Sequence, residues 1–180
     1  MKKQSVLIFL LLNSISGISQ TIEPAPLDKA VVYFARPSSL GFAINFSYFD
    51  STKLIGKFNG PKYIRYECEP GLHLFWARSE NRDFVEAEVE GGKIYFIEAI
   101  VKMGAIKAGV ELLPVDPNDA KRMKKILKLI GKKPSESFST SELEYDRDAD
   151  VILRGMERYK KEKEKGLRNS RLEKSMYYKN

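Results

Sequence analysis

RDFVEAEVEGGKIYFIEAIVKM, residues 82–103, decides what kind of protein this is. In its first half Val85, Ala87 and Val89 alternate with Glu86, Glu88 and Glu90. Successive strand side chains point to opposite faces, so a period of two makes a strand with one apolar and one wet side. In the second half Tyr95, Ile97, Ala99, Val101 and Met103 share a face. The opposite face (Ile94, Phe96, Glu98, Ile100, Lys102) is also mostly apolar, which places this strand centrally in a sheet or under another layer. Gly91-Gly92 between them can adopt positive φ and is expected to close the two into a hairpin.

The same pattern runs from residue 29 to 115. β-Branched and aromatic runs at 29–36, 42–50, 53–58, 62–68, 71–78, 82–90, 93–103 and 108–115 are separated by turn residues such as Asp50-Ser51-Thr52, Asn59-Gly60-Pro61 and Pro70-Gly71. No segment long enough for a crossover helix separates them, which argues against a parallel α/β layout. The expected fold is mainly β: a small antiparallel sandwich, immunoglobulin- or prealbumin-like, followed by C-terminal α-helices. ARPSSLGF, residues 35–42, has one glycine and leads into a strand rather than a helix, so it is not a phosphate-cradling loop. Pro37 removes a ladder donor, ends the first strand at Arg36, and makes the break a corner.

Beyond residue 115 the period changes to helical. Asp116-Pro117-Asn118-Asp119 reads as a helix start with Asp116 as N-cap, and Ala120, Met123, Ile126, Leu127 and Ile130 follow at helical spacing. That stripe is expected to cover one sheet or an open end, with Gly131 as C-terminal cap and Pro134 preventing resumption. Residues 132–140 are a linker. Ser141 and Glu144 form a capping box for a second helix carrying Tyr145, Ala149, Ile152, Leu153, Met156 and Tyr159 on one face. The rest of 141–180 is a basic helical tail, expected to fray toward its end.

The N-terminus reads as an export signal over residues 1–19, followed by a lead-in over 20–28. Lys2 and Lys3 precede the apolar run from Val6 to Leu12, and Gly17 and Ser19 stand at −3 and −1 of a cut before Gln20. The run is shorter than the ~20 residues a spanning helix needs, and no cysteine near the cut offers lipid attachment. The mature chain is expected to be extracytoplasmic, periplasmic or secreted, with no transmembrane span. The full sequence carries a net charge of +7, unevenly spread. Residues 21–115 hold 11 Lys/Arg against 12 Asp/Glu, and residues 116–180 hold 18 against 12. A near-neutral body makes nucleic acid an unlikely partner.

Several groups of residues have the composition that chemistry would need. His73 is the only histidine and Cys68 the only cysteine, so any triad would use them and a His/Cys zinc site has too few ligands. Without a second cysteine there is no internal disulfide, and the fold must hold by packing. DRDADVILRGME places Asp146, Asp148, Asp150 and Glu157 at positions 1, 3, 5 and 12 of a calcium loop, but Val151 stands where a glycine should turn. Glu86, Glu88 and Glu90 share one face of one strand, which is edge protection rather than a carboxylate pair across a cleft. Trp76, Phe75 and the tyrosines can form a sugar or peptide platform, or a core. The basic tail can solvate itself or meet an anionic polymer, lipid or envelope protein.

YFARPSS (33–39), FDSTKLIGKF (49–58), EPGLHLFWA (69–77), EGGKIYFIEA (90–99), VKMG (101–104) and VELLPVD (110–116) together resemble a bacterial family known as domain of unknown function 2846. The resemblance covers about residues 29–116 and implies a secreted or lipid-anchored β-sandwich, with no catalytic, cofactor or metal residues to carry over. The chain departs from that pattern in lacking a lipidation cysteine and in adding the basic helical extension. The expectation is an exported, non-enzymatic binding or envelope-associated module. The alternatives are a hydrolase using His73 or a carboxylate pair, and an adaptor to an anionic surface through the tail.

Overall fold

The structure, a computed structural model, describes residues 22–104, 108–137 and 145–179. Two sheets face each other. One has the order β4 (Lys62–Cys68), β1 (Ala30–Arg36), β7 (Ile94–Met103), β8 (Ala108–Pro114). The other has the order β3 (Lys53–Phe58), β2 (Phe46–Asp50), β5 (Gly71–Arg78), β6 (Arg82–Val89), β9 (Ser170–Leu172). This is the expected sandwich with C-terminal helices. It is not the immunoglobulin order ABED/CFG, which leaves the prealbumin-like alternative.

The hairpin expected at Gly91-Gly92 does not form. β6 pairs with β5 and β9, and β7 pairs with β1 and β8, so the two glycines carry the chain from one sheet to the other. The lead-in explains why. Gly92 at φ +70° donates its N–H to the carbonyls of Pro26 and Lys29. A Cβ on Gly91 would sit 2.5 Å from the Leu27 carbonyl oxygen, so only glycine admits the lead-in there. β7 then lies parallel to β1, with Val31 opposite Ile94 and Ala35 opposite Glu98. The expectation of purely antiparallel pairing is corrected at this pair and at β6–β9. The chain between β1 and β7 passes through the other sheet, so the crossover needs no helix.

The central position of β7 accounts for its two apolar faces. Tyr95, Ile97, Ala99 and Val101 join Phe34, Tyr48, Phe75 and Val85 in the core between the sheets. Ile94 and Phe96 point outward with Val31, Tyr33 and Ala35. They are covered by helix α1 (Ala120–Ile130) through Met123, Ile126, Leu129 and Ile130. The N-cap is Asp119, whose carboxylate accepts from the Arg122 N–H, and not Asp116. Asp116 instead closes the preceding turn by accepting from the Asn118 N–H. Helix α2 (Tyr145–Glu164) covers the outer face of the second sheet, where Val151 meets Phe49, Trp76 and Phe84. The order of layers is therefore helix, sheet, sheet, helix. Among the described residues no helix is long and apolar enough to cross a membrane. The leader (1–19) and the capping box at Ser141 and Glu144 lie outside the described residues.

Both edges of the first sheet are occupied. Residues 133–136 run along β4, where Ser135 Oγ accepts from Arg65 N–H and Glu136 N–H reaches the Tyr63 carbonyl. Side chains of the β5–β6 turn and of β6 bind β8: Asn81 takes both polar groups of the Val110 backbone, and Asp83 accepts from Leu112 N–H. The tail does not fray as expected. β9 adds to β6 in parallel, and Leu172 is buried in the core between the sheets. Farther on, Tyr178 N–H donates to the Ile94 carbonyl at 2.8 Å, so the tail bridges the two sheets as a strap.

The corner after β1 owes its shape to Arg36, which is fully buried. Its guanidinium donates to the carbonyls of Ile44, Leu40 and Gly41 at 2.5–2.9 Å and lies 4.4 Å from the Phe46 ring centroid. A buried charge is tolerated only when its donors are met, and three backbone acceptors from one loop meet most of them here. Residues 42–45, expected to begin the second strand, belong to this loop instead. The corner reading of ARPSSLGF holds.

Candidate functional site

His73 lies on the inner face of β5, opposite in direction to Leu72 and Leu74, near the end of the sandwich. Its ring stacks on Phe75 with centroids 5.2 Å apart and planes 8° apart. Nδ1 is 2.8 Å from Asp50 Oδ2, and Nε2 is 2.8 Å from the Glu69 carbonyl oxygen. Both partners are acceptors. A neutral imidazole has one N–H and can satisfy only one of them, so the geometry holds the doubly protonated ring. The bond to Asp50 is the largest cause and the neighbouring Cys68 side chain the next; together they outweigh burial and push the His73 pKa up to about 10. Tyr66 OH donates to the same Asp50 oxygen at 3.1 Å. Burial first, and the Asp50 carboxylate second, hold that phenol well above its usual range.

Asp50, Tyr66 and His73 thus form one hydrogen-bonded cluster beside Cys68, of which the sequence singles out only His73 and Cys68. Its chemistry is that of a closed ion pair. An imidazolium with both protons committed has no lone pair to accept a third, so it cannot begin a reaction as general base. Cys68 is free and buried. The pH dependence has a definite sign. A histidine titrates near 6.5 when unfolded, so its contribution is complete below pH 6.5 and is lost as pH rises through about 10. Urea midpoints measured from pH 6 to 10 are expected to fall by the equivalent of about 2–4 kcal/mol, after allowance for partial solvent screening. His73→Gln is expected to flatten that slope; an unchanged slope in the variant removes His73 as its source.

The other candidates fall into structural places. Trp76 is fully buried, stacked on Phe49 at 3.9 Å and donating Nε1–H to the Ser51 carbonyl, so it is core and not a platform. Phe75 is buried between the sheets. Asp146, Asp148, Asp150 and Glu157 lie within the continuous helix α2, where no loop can wrap an ion. Asp150 pairs with Arg154. Among the described residues no three His, Cys, Asp or Glu gather as a metal site requires.

Glu86 and Glu88 do not guard a free edge, because β9 lies beyond them. Glu86 Oε1 instead accepts from Tyr159 OH, Lys163 Nζ and Asn169 Nδ2, and Lys163 is the main cause of its lowered pKa. Lys174 approaches Glu88 at 3.8 Å. The tail's basic groups thus serve partly to seat the tail on β6. On α1, Lys121, Lys124, Lys125 and Lys128 are all exposed, and among the described residues no acid pairs with them. No protein-family model matches this sequence, and no curated protein matches it.

Proposed function

We propose that this chain is an exported, non-catalytic binding module that acts at the cell envelope, of the kind implied by its resemblance to domain of unknown function 2846. The supporting observation is the arrangement at His73. The only histidine, the side-chain type whose ordinary pKa lies nearest neutral pH, meets acceptors at both ring nitrogens. Both outer sheet faces are covered by helices, so binding is left to the loops at the two ends and to the helices' own outer surfaces. The hydrolase alternative requires His73 to release Asp50 or Glu69 first, or a carboxylate pair that the Glu86 and Glu88 contacts do not offer. The anionic-surface alternative gains the exposed lysines of α1 in addition to the basic tail.

The test has two arms. The full-length chain expressed in a bacterium is followed by mass spectrometry and cell fractionation; export predicts a product beginning at Gln20 outside the cytoplasm, and an unprocessed cytoplasmic chain refutes it. The purified product is offered esters, peptides and glycans. Turnover that disappears in His73→Gln establishes the hydrolase and ends the binding-module reading.

A further inference from the structure

α1 and α2 handle charge in opposite ways. α2 pairs its arginines with acids one turn away, Arg154 with Asp150 and Arg158 with Glu162. Residues 120–133 hold seven Lys/Arg and no acid. Lys121, Lys125, Lys128 and Lys132 follow one another at i, i+4, i+7 and i+11, a single row on the exposed side. Like charges at such spacings disfavour a helix. Lys128 recovers some of this against the dipole at the helix C-terminus, but Lys121 stands in the first turn, where a cation is unfavourable. Folding alone gives no reason for the row.

The lower part of the row faces a cleft. A cavity of about 520 Å³ lies between α1 and the corner after β1, with Lys125, Lys128, Lys132 and Lys133 on one side and Ser38 and Ser39 on the other. Glu98 is the acid in its wall, and Arg122 already bonds that carboxylate at 2.5 Å. Lys133 Nζ donates to the Pro61 carbonyl at 2.8 Å, which draws this ammonium to the cleft wall. Ser38 Oγ accepts from the Leu40 N–H, so its own proton is available to a ligand.

We infer that this cleft binds a phosphate group carried on a body of about sugar size. This inference rests on the binding-module reading and names its ligand class. Ammonium groups bind phosphate as compact point charges with three donors each, approaching a tetrahedral oxyanion from several directions. The cationic lining of the cleft is lysine alone. Its volume lies within the roughly 300–1,000 Å³ of small-molecule sites and exceeds what a bare phosphate fills. A dianion seated there relieves the repulsion among four ammonium groups held on one wall.

The full processed chain, labelled with nitrogen-15, is titrated at constant ionic strength with glucose 6-phosphate, inorganic phosphate, glucose, and phosphatidylglycerol–phosphatidylcholine vesicles. Glucose 6-phosphate is expected to shift the amides of Ser38, Ser39 and residues 125–133. Lys125→Gln/Lys128→Gln/Lys132→Gln is expected to weaken it by about tenfold or more, equivalent to about 1.4 kcal/mol. Removing equal charge at Lys160, Lys161 and Lys165 is expected to leave it unchanged, and the spectra report whether each variant is folded. Preference for glucose 6-phosphate or for vesicles identifies a free phosphosugar or a lipid headgroup as the source. No shift in the cleft, equal weakening by both triple variants, or an equal response to glucose overturns the inference. Release of phosphate from the probe ends the non-catalytic reading instead, while leaving the cleft assigned.

Discussion

A chain ended at Arg168 is expected to lose roughly 4 kcal/mol or more of stability and to self-associate. The deletion takes away Leu172, 1% exposed in the core between the sheets, where burial of such a side chain contributes about 1.5–3 kcal/mol. It also removes Met176 and Tyr177 from the margin of that core, and Tyr178 from an edge-to-face contact with Phe96 at 5.6 Å. Asn169 is lost from Glu86, and the Lys174 carbonyl is lost from Tyr95 OH. What remains is a β6 edge with unpaired backbone groups beside an opened core, a template for a second copy. Against a total stability of about 5–15 kcal/mol, such a loss is large. Trp76, the only tryptophan, reports urea unfolding by fluorescence, and sedimentation reports association. If the shortened chain stays monomeric with the full chain's urea midpoint, the strap contributes nothing and its docking is incidental.

A period in the sequence carries some kinds of structural information and not others. β3, β4 and β5 occupy the residues that turn chemistry marked for them, because Gly, Pro and Asn act locally. The faces of β6 and β7 also follow from alternation. Their pairing does not, since a period of two says which side chains share a face and nothing about which strand lies alongside. Alternation therefore leaves the partner of each strand open at Gly91-Gly92, and the lead-in at Pro26–Lys29 decides it against a hairpin. The strap was hidden by composition: Leu172, Met176, Tyr177 and Tyr178 stand among charges with no regular spacing. The site was half legible. His73 and Cys68 stood out by being single, whereas Tyr66 and His73 meet Asp50 from 16 and 23 residues away, a convergence only the folded sheets produce. Arg36 gave one signal, a charge immediately before the proline that ends a strand.

Gly155→Ala is expected to destabilise the protein by about 1–3 kcal/mol, the reverse of what the same change does in an exposed helix. In an isolated helix alanine is better than glycine by about 1 kcal/mol, because glycine gives up more backbone freedom. Here a Cβ on Gly155 would lie 2.5 Å from Trp76 Cη2, 2.8 Å from Cζ2 and 3.0 Å from Cζ3. The indole has little room to retreat. It stacks on Phe49 with planes 9° apart, is tied by Nε1–H to the Ser51 carbonyl at 2.8 Å, and has Phe84 on another side. α2 must therefore lift, which loosens Val151 from its cluster and strains the Tyr159 and Lys163 bonds to Glu86. Trp76→Leu alone is expected to cost about 2–4 kcal/mol through the cavity it leaves under the helix. In that background Gly155→Ala has the space it lacked, so the second substitution should be neutral or stabilising. The interaction energy of the cycle measures the contact directly. Additive effects, or a Gly155→Ala protein more stable than the parent, mean that α2 does not rest on Trp76 in solution, and the outer helical layer of this sandwich then has to be redrawn.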